Sequence, residues 1–253
     1  MNLCIIQARM GSIRLPNKVL KKVNGTPLLL YEIKRVQQTK KIDKIVVATT
    51  IDKADNQIEK FCRAKKISVF RGSENDVLDR YYKCALKYPD FKNIIRITGD
   101  CPLIDPKIID ATIELFEKGK YGYVSNTGKE TFPDGMDIEI FTRHALTQAW
   151  HKAKLSSERE HVTQYIRKHK KFKQGNLPAP ADFGHFRLTV DEPEDFEVIK
   201  FLIKNSKTTD NYLDYISLLT KNPKIMYKNM HIIRNEGLIK SLKNDEKICQ
   251  IKA

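Results

Sequence analysis

Apolar positions along this chain switch between two spacings. Short β-branched or continuously apolar runs at 3–7, 44–50, 67–70 and 93–98 predict strands. Between and after them, apolar residues recur at helical spacing over 27–36, 53–65, 75–88 and 106–118. The last of these opens on Pro106, whose missing N–H costs nothing in a first turn. Four strand-then-helix units in the first 120 residues predict a mostly parallel sheet with helices on both faces. Later the rhythm is less regular. Strands are expected at 121–126, at 187–190, and at 136–142, where Met136, Ile138 and Ile140 alternate with Asp137, Glu139 and Thr142. Helices are expected at 143–152, at 158–169 and from Asp191-Glu192-Pro193-Glu194, whose acids and proline mark a helix start. The organisation that follows is one α/β domain over 1–207 with a small β-rich insertion. A helical C-terminal tail, 208–253, is expected to pack on it or on a partner subunit.

Composition narrows the class. With 253 residues, 41% hydrophobic and 30% charged, the chain is neither a disordered tail nor a fibre nor a membrane protein. A net charge of +15 favours an anionic partner: nucleic acid, anionic lipid or a phosphate-rich small molecule. Lysine scattered over every surface would give the same number. Cys4, Cys62, Cys84, Cys101 and Cys249 lie at wide spacings without a C-x-x-C or a companion histidine pattern. Neither a disulfide scaffold nor a zinc site is expected, and a reducing compartment fits. No secretory leader and no run of eighteen apolar residues is present, so a cytoplasmic protein with no membrane partner is expected.

Two places carry candidate chemistry. After the first strand comes Gln7-Ala8-Arg9-Met10-Gly11-Ser12-Ile13-Arg14-Leu15-Pro16-Asn17-Lys18, at the carboxyl edge where open α/β sheets bind ligands. Its single glycine excludes a dinucleotide fingerprint and a P-loop. Arg9, Arg14 and Lys18 around a Gly11-Ser12 corner suit a polyphosphate, although a solvated loop with incidental cations has the same composition. The fourth strand ends at Thr98-Gly99-Asp100, a common place for a metal ligand and also for a turn cap. Asp191 repeats the arrangement at 187–190 and is by itself most simply a helix cap. Two strand-end aspartates can also meet on one magnesium ion.

In order, QARMGSIRLPNKVL, VFRGSENDVLDRYY, RITGDCPLID, PDGMDIEIF, SEREHVTQYI and RLTVDEPED resemble the cytidylyltransferase-like proteins of the spore-coat polysaccharide (SpsF) type. More remotely they resemble cytidylyltransferases that activate 3-deoxy-manno-octulosonate and the acylneuraminates. The resemblance covers about residues 2–205, with KNMHIIRNEG in the tail also similar. It implies a Rossmann-like nucleotide-diphosphosugar transferase fold, Mg²⁺ as cofactor and transfer of CMP from CTP to a sugar acid or phosphorylated small molecule. Pyrophosphate is released, and the product serves surface polysaccharide or glycan synthesis. It implies nucleotide contacts from Ala8, Arg9, Gly11, Ser12, Arg14 and Lys18, with Ser73, Asp79 and Arg80 near the base. Asp100 and Asp191 become the metal ligands, and Arg9, Lys18 and Asp100 the catalytic set. Thr98 departs from the glutamine that sugar-acid enzymes often carry two residues before the first metal aspartate. A homodimer is expected.

Acceptor candidates are Asp134, Asp137, Glu139, Glu160 and His161, with Thr163 beside them. The alternation at 136–142 would instead turn Asp137 and Glu139 to solvent. Two other functions fit parts of the sequence. A nucleotide-sugar glycosyltransferase of the same fold would want a D-x-D where Gly99-Asp100-Cys101 stands. A basic nucleic-acid-binding protein would want interleaved cations and aromatics, whereas the densest run, 167–173, is one short stretch, and no nucleic-acid partner is expected.

Overall fold

The computed structural model describes residues 1–251, with side chains as far as Lys247. The first half winds β1 (Asn2–Gln7), a hairpin of β2 (Lys22–Val23) and β3 (Thr26–Pro27), α1 (Leu28–Val36), β4 (Lys44–Thr50) and α2 (Asn56–Ala64). It continues through β5 (Ser68–Gly72), α3 (Val77–Leu86), β6 (Asn93–Thr98) and α4 (Pro106–Gly119). The second half contains β7 (Tyr123–Ser125), β8 (Glu139–Thr142), α5 (Arg143–Lys152), α6 (Ser156–Glu160), α7 (Gln164–Lys168) and β9 (Gln174–Asn176). It closes with α8 (Pro193–Asn205), α9 (Tyr212–Thr220), α10 (Pro223–Met226) and α11 (Glu236–Ile251). Seven strands form one sheet in the order β5-β4-β1-β6-β8-β7-β9. The β5, β4, β1 and β6 pairs are parallel, and β8 runs antiparallel to both β6 and β7.

Strand alternation divides the core in two. Cys4, Ile6, Val47, Ile95 and Ile97 face the layer containing α1, α2, α4, α8 and α9. Leu3, Ile5, Val46, Ala48 and Ile94 face the layer containing α3, α5 and α7. Apolar side chains on both faces of each central strand produce the continuous runs legible in the sequence.

Three expectations for the second half are corrected. The strand expected at 136–142 begins only at Glu139, because Asn126 takes the place of a ladder partner before it. The Asn126 amide donates to the Met136 carbonyl and accepts from the Ile138 N–H at 2.6 and 2.9 Å, next to Gly135 at φ 96°. The helix expected at 158–169 breaks into α6 and α7 at Val162, whose φ is 59°. A β-branched residue in that region is strained, and the surroundings must hold it there. Buried Thr163, which donates its hydroxyl to Glu139 at 2.5 Å, does so. The segment 187–190 forms a single bridge, Asp134 to Arg187, rather than a ladder strand. It still lies extended along the β6 end, with the Val190 N–H donating to the Asp100 carbonyl at 2.9 Å. The expected β-rich insertion extends the main sheet as β8, β7 and β9.

The tail folds back over the carboxyl edge of the sheet. Asn229 donates to the Arg187 carbonyl and to Asp195, and Arg234 reaches the Phe132 carbonyl and Asp137. Asp245 accepts from the Ser156 and Ser157 N–H groups, capping α6 from 88–89 residues away. Among the described residues, no helix is long and apolar enough to cross a membrane.

Candidate active site

The loop after β1 is held at both ends. The Ala8 N–H donates to the Ala48 carbonyl, and the Met10 N–H donates to Asp55 at 2.7 Å. The other oxygen of Asp55 accepts from the Thr50 N–H and hydroxyl, so this buried carboxylate welds the loop to the end of β4. Asn17, at φ 60°, then turns the chain so that its N–H reaches the Met10 carbonyl, and a 3₁₀ turn begins at Lys18. Gly99 lets the end of β6 approach, because a Cβ there would lie 2.8 Å from the Gln7 carbonyl oxygen.

This packing brings the two strand-end aspartates together. The Lys18 ammonium donates to Asp100 at 2.8 Å and to Asp191 at 2.7 Å. Burial alone would raise the Asp100 carboxyl and lower the ammonium. Their mutual attraction wins, holding Asp100 at about 2 and raising Lys18 above its ordinary value. Asp191 also meets Arg14 at 3.2 Å and Arg187 at 3.0 Å. Arg187 is braced in turn by Asp134 and Asp195. Arg14 carries two further carboxylates, Glu192 and, from the tail, Glu236.

Two cavities of about 320 and 360 Å³ share Arg96 and His161, and Asp100 and Asp191 of the bridge stand in the wall of the smaller. The smaller is lined by Arg14, Asp100, Asp134, Asp137, Glu139 and Asp191 among others, and the tail residues 233–238 roof part of it. The larger is lined by Gln7, Ala8, Arg9, Arg80, Glu160 and His161. Arg9 stands half-exposed at its rim, 3.8 Å from Glu74. Arg80 is buried, and its guanidinium donates to the Ser73 carbonyl at 2.6 Å. Gly11 and Ser12 form the tight corner of the loop, with the Ser12 N–H on the Met10 carbonyl. Ser73 and Asp79 lie outside this cavity: the Ser73 hydroxyl caps the following turn at Asp76, and Asp79 accepts from the Trp150 indole and pairs with Lys83.

The solvent-facing alternative for the strand acids is overturned for Glu139. It is 4% exposed and holds Arg96, the Tyr123 hydroxyl and the Thr163 hydroxyl. The β8 strand is buried on both faces, so alternation there does not mark a wet side. Asp137 pairs with Arg234, and Glu160 accepts from the tail hydroxyl of Ser241. Asp55, Arg96, Arg187, Asp195 and Arg234 escaped the sequence reading, because each acts through a partner distant in the chain or on another element.

Behind Asp100 lies Glu32 of α1, fully buried, with one oxygen accepting from the Cys101 N–H at 3.2 Å and the other unpartnered. Burial, then the charge of Asp100, pushes this carboxyl well above its ordinary range. The folded state therefore keeps a proton that the unfolded chain releases in the ordinary carboxylate range, about 4.3 for glutamate. Metal-free protein is expected to lose stability as pH rises above that value. In Glu32→Gln this loss should be absent, so that melting temperature against pH is flatter than in wild type. An unchanged slope would show Glu32 to be ionised in the fold.

A loop of cations after β1 and converging aspartates at the carboxyl edge of a parallel sheet define a nucleotide-handling α/β transferase. Residues 3–239 match the sequence profile of the cytidylyltransferase family. The chain is 37% identical, over 87% of its length and 95% of the relative's, to the spore coat polysaccharide biosynthesis protein SpsF of Bacillus subtilis. It superposes with TM-score 0.85 and 38% identity on a cytidylyltransferase from Leptospira borgpetersenii, covering 92% of this chain and 99% of that one. A CMP:2-keto-3-deoxy-manno-octonic acid synthetase complexed with CTP shares the fold at TM-score 0.61 and 17% identity, over 80% of this chain and 98% of its own. The chain belongs to the cytidylyltransferase family and is a CTP-dependent nucleotidyltransferase with the Rossmann-like fold of that enzyme class. The glycosyltransferase and nucleic-acid readings give way to this membership.

Proposed function

We propose that this enzyme transfers CMP from CTP to an anionic acceptor, a sugar acid or a phosphorylated small molecule, for a surface polysaccharide or glycan. An acceptor oxygen attacks the α-phosphorus in line, the bond to the β-phosphate bridging oxygen breaks, and pyrophosphate leaves with the electron pair. The observation that carries this reading is the convergence of Asp100 and Asp191 on one ammonium, in the wall of a cavity that shares Arg96 and His161 with a second one. The Arg9–Arg80 cavity suits the nucleotide and the Asp134–Glu139 cavity the acceptor; they meet at Arg96 and His161, with the bridge on the acceptor side.

The same carboxylates fit magnesium. They already hold one compact cation with hard oxygen atoms, and magnesium is commonly bound by one or two carboxylates plus substrate phosphates. Two carboxylates from the protein would leave the remaining positions to substrate phosphates and water. When bound, the ion would neutralise phosphate charge. Lys18 keeps the two aspartates together before substrate arrives and, as the last residue of the loop, serves the phosphates afterwards. Arg9 and Arg14 bind the outer phosphates, Arg14 exchanging its carboxylate partners for them. Arg80 lies with the base.

Pyrophosphate release with CTP, UTP, ATP and GTP, with and without a chelator, tests the reading. CTP is expected to be used well above the others, and only with free divalent metal. Equal turnover with UTP or GTP would overturn the cytosine assignment. We further propose a cytoplasmic homodimer, which sedimentation of the purified protein checks.

A further inference from the structure

An acceptor hydroxyl that attacks phosphorus must give up its proton. Asp100 and Asp191 are both engaged with Lys18, so neither is free to take it. The two cavities meet at Arg96 and His161. An arginine has no lone pair to offer. His161 is the group at the junction that can accept.

The tail decides which ring nitrogen is available. His161 closes α6, its N–H donating to the Ser157 carbonyl at 2.9 Å. Asp245 of α11 is fastened to the start of the same helix through the Ser156 and Ser157 N–H groups. Four residues before Asp245, and therefore on the same face of α11, comes Ser241. Its Oγ lies 3.0 Å from His161 Nε2, 2.8 Å from Glu160 Oε2 and 3.0 Å from the Gly237 carbonyl oxygen. A serine hydroxyl has one proton, and a carboxylate or carbonyl oxygen can only accept. That proton therefore goes to Glu160 or Gly237, and the ring meets a lone pair. Nε2 must donate to it. The neutral imidazole then carries its proton on Nε2 and its lone pair on Nδ1, which has no hydrogen-bond partner among the described residues. The side chain remains 21% exposed.

We propose that His161 is the general base of the transfer, with Ser241 the positioning residue that keeps Nδ1 unprotonated. Nδ1 takes the proton of the acceptor hydroxyl as its oxygen bonds to the α-phosphorus. The bond to the β-phosphate bridging oxygen breaks, pyrophosphate leaves with the electron pair, and the imidazolium returns its proton to water. This rests on the reading of the two cavities as nucleotide and acceptor sites. Facing the ring are Glu160 beside it, Asp245 from α11, Glu139 from β8 and Arg96 from β6. Arg80 of α3 and Arg167 of α7 stand in the walls of the adjoining cavities. Burial, helped by Arg96, outweighs the three carboxylates and lowers the basicity of the ring, so it is neutral and ready to accept at neutral pH.

The test uses the full-length protein as wild type, Ser241→Ala, Ser241→Thr and His161→Gln. Proton–nitrogen NMR of the histidine side chains, assigned with His161→Gln, reads which ring nitrogen carries the proton. Wild type and Ser241→Thr are expected in the Nε2–H form, and Ser241→Ala as a mixture of both forms. Pyrophosphate release from CTP with magnesium is then followed against pH. The acceptors are 3-deoxy-manno-octulosonate, which offers hydroxyls, and water alone as background. His161→Gln is expected to lower kcat by about two orders of magnitude with KM for CTP unchanged. It should also lose the fall in kcat on the acid side that protonation of the wild-type ring causes. Ser241→Ala should lie between the two, and Ser241→Thr should restore wild-type behaviour, which a purely structural role for His161 does not predict. A wild-type ring protonated on Nδ1 would overturn the proposal. So would a His161→Gln kcat within a few-fold of wild type that keeps the acid limb. The tautomer decides the assignment on its own, so a wild type that releases no pyrophosphate with either acceptor counts against the proposed transfer and not against His161.

Discussion

Replacing Asp100 by asparagine is expected to lower cytidylyl transfer by about three orders of magnitude, roughly 4 kcal/mol of barrier. The change keeps shape and removes charge at the point where Lys18, Asp191 and the end of β6 meet. Fold should survive, since the backbone of residue 100 is pinned independently: its carbonyl accepts from the Val190 N–H and the Thr189 hydroxyl. Steady-state pyrophosphate release and a melting curve on one preparation check both halves. Activity within a few-fold of wild type would reduce Asp100 to a turn residue. Lost activity with a much lower melting temperature would assign it a structural role.

The second large effect concerns Lys18. Its removal takes the shared cation from two partly buried carboxylates, so Lys18→Ala should lose both turnover and stability. Turnover is expected to fall by about two orders of magnitude or more, on the order of 3 kcal/mol. Stability should fall by about 3 kcal/mol, because the stranded carboxylates repel across a desolvated gap. Magnesium should then raise the melting temperature of the variant more than that of wild type, because the vacated space between Asp100 and Asp191 becomes the strongest cation site. Lys170→Ala, an identical charge change in the basic 167–173 run, should leave turnover and melting unaltered. If both variants weaken CTP use by one small factor that salt erases, Lys18 contributes only diffuse charge.

The central sheet was legible because its strands are apolar on both faces, as Lys44–Thr50 and Asn93–Thr98 show. The aspartates were legible from position alone, each following an extended segment at the carboxyl edge. Nothing in spacing reveals that Arg187 serves Asp134, 53 residues away, or that Arg234 serves Asp137, 97 residues away. Such pairings arise only when the tail and the β8 edge close on one another. The break at Val162 was hidden for a related reason. Valine disfavours its conformation, so the cause lies in Thr163 and Glu139 rather than in the local sequence.

The tail that roofs the acceptor cavity also sets the order in which a growing chain becomes an enzyme. Residues 7–100 contain the loop, Arg80 and Asp100, but the nucleotide cavity also takes Ser156, Glu160 and His161, so it is complete only once α6 has been made. Asp191 and Arg187 appear only after a further stretch of synthesis, and Arg234, Glu236 and Asp245 follow near the end. Both cavities therefore draw on residues made late, and the acceptor cavity is the last to be completed. A chain that ends before α11 lacks Glu236 and Asp245, and with them a carboxylate partner of Arg14 and the cap of α6.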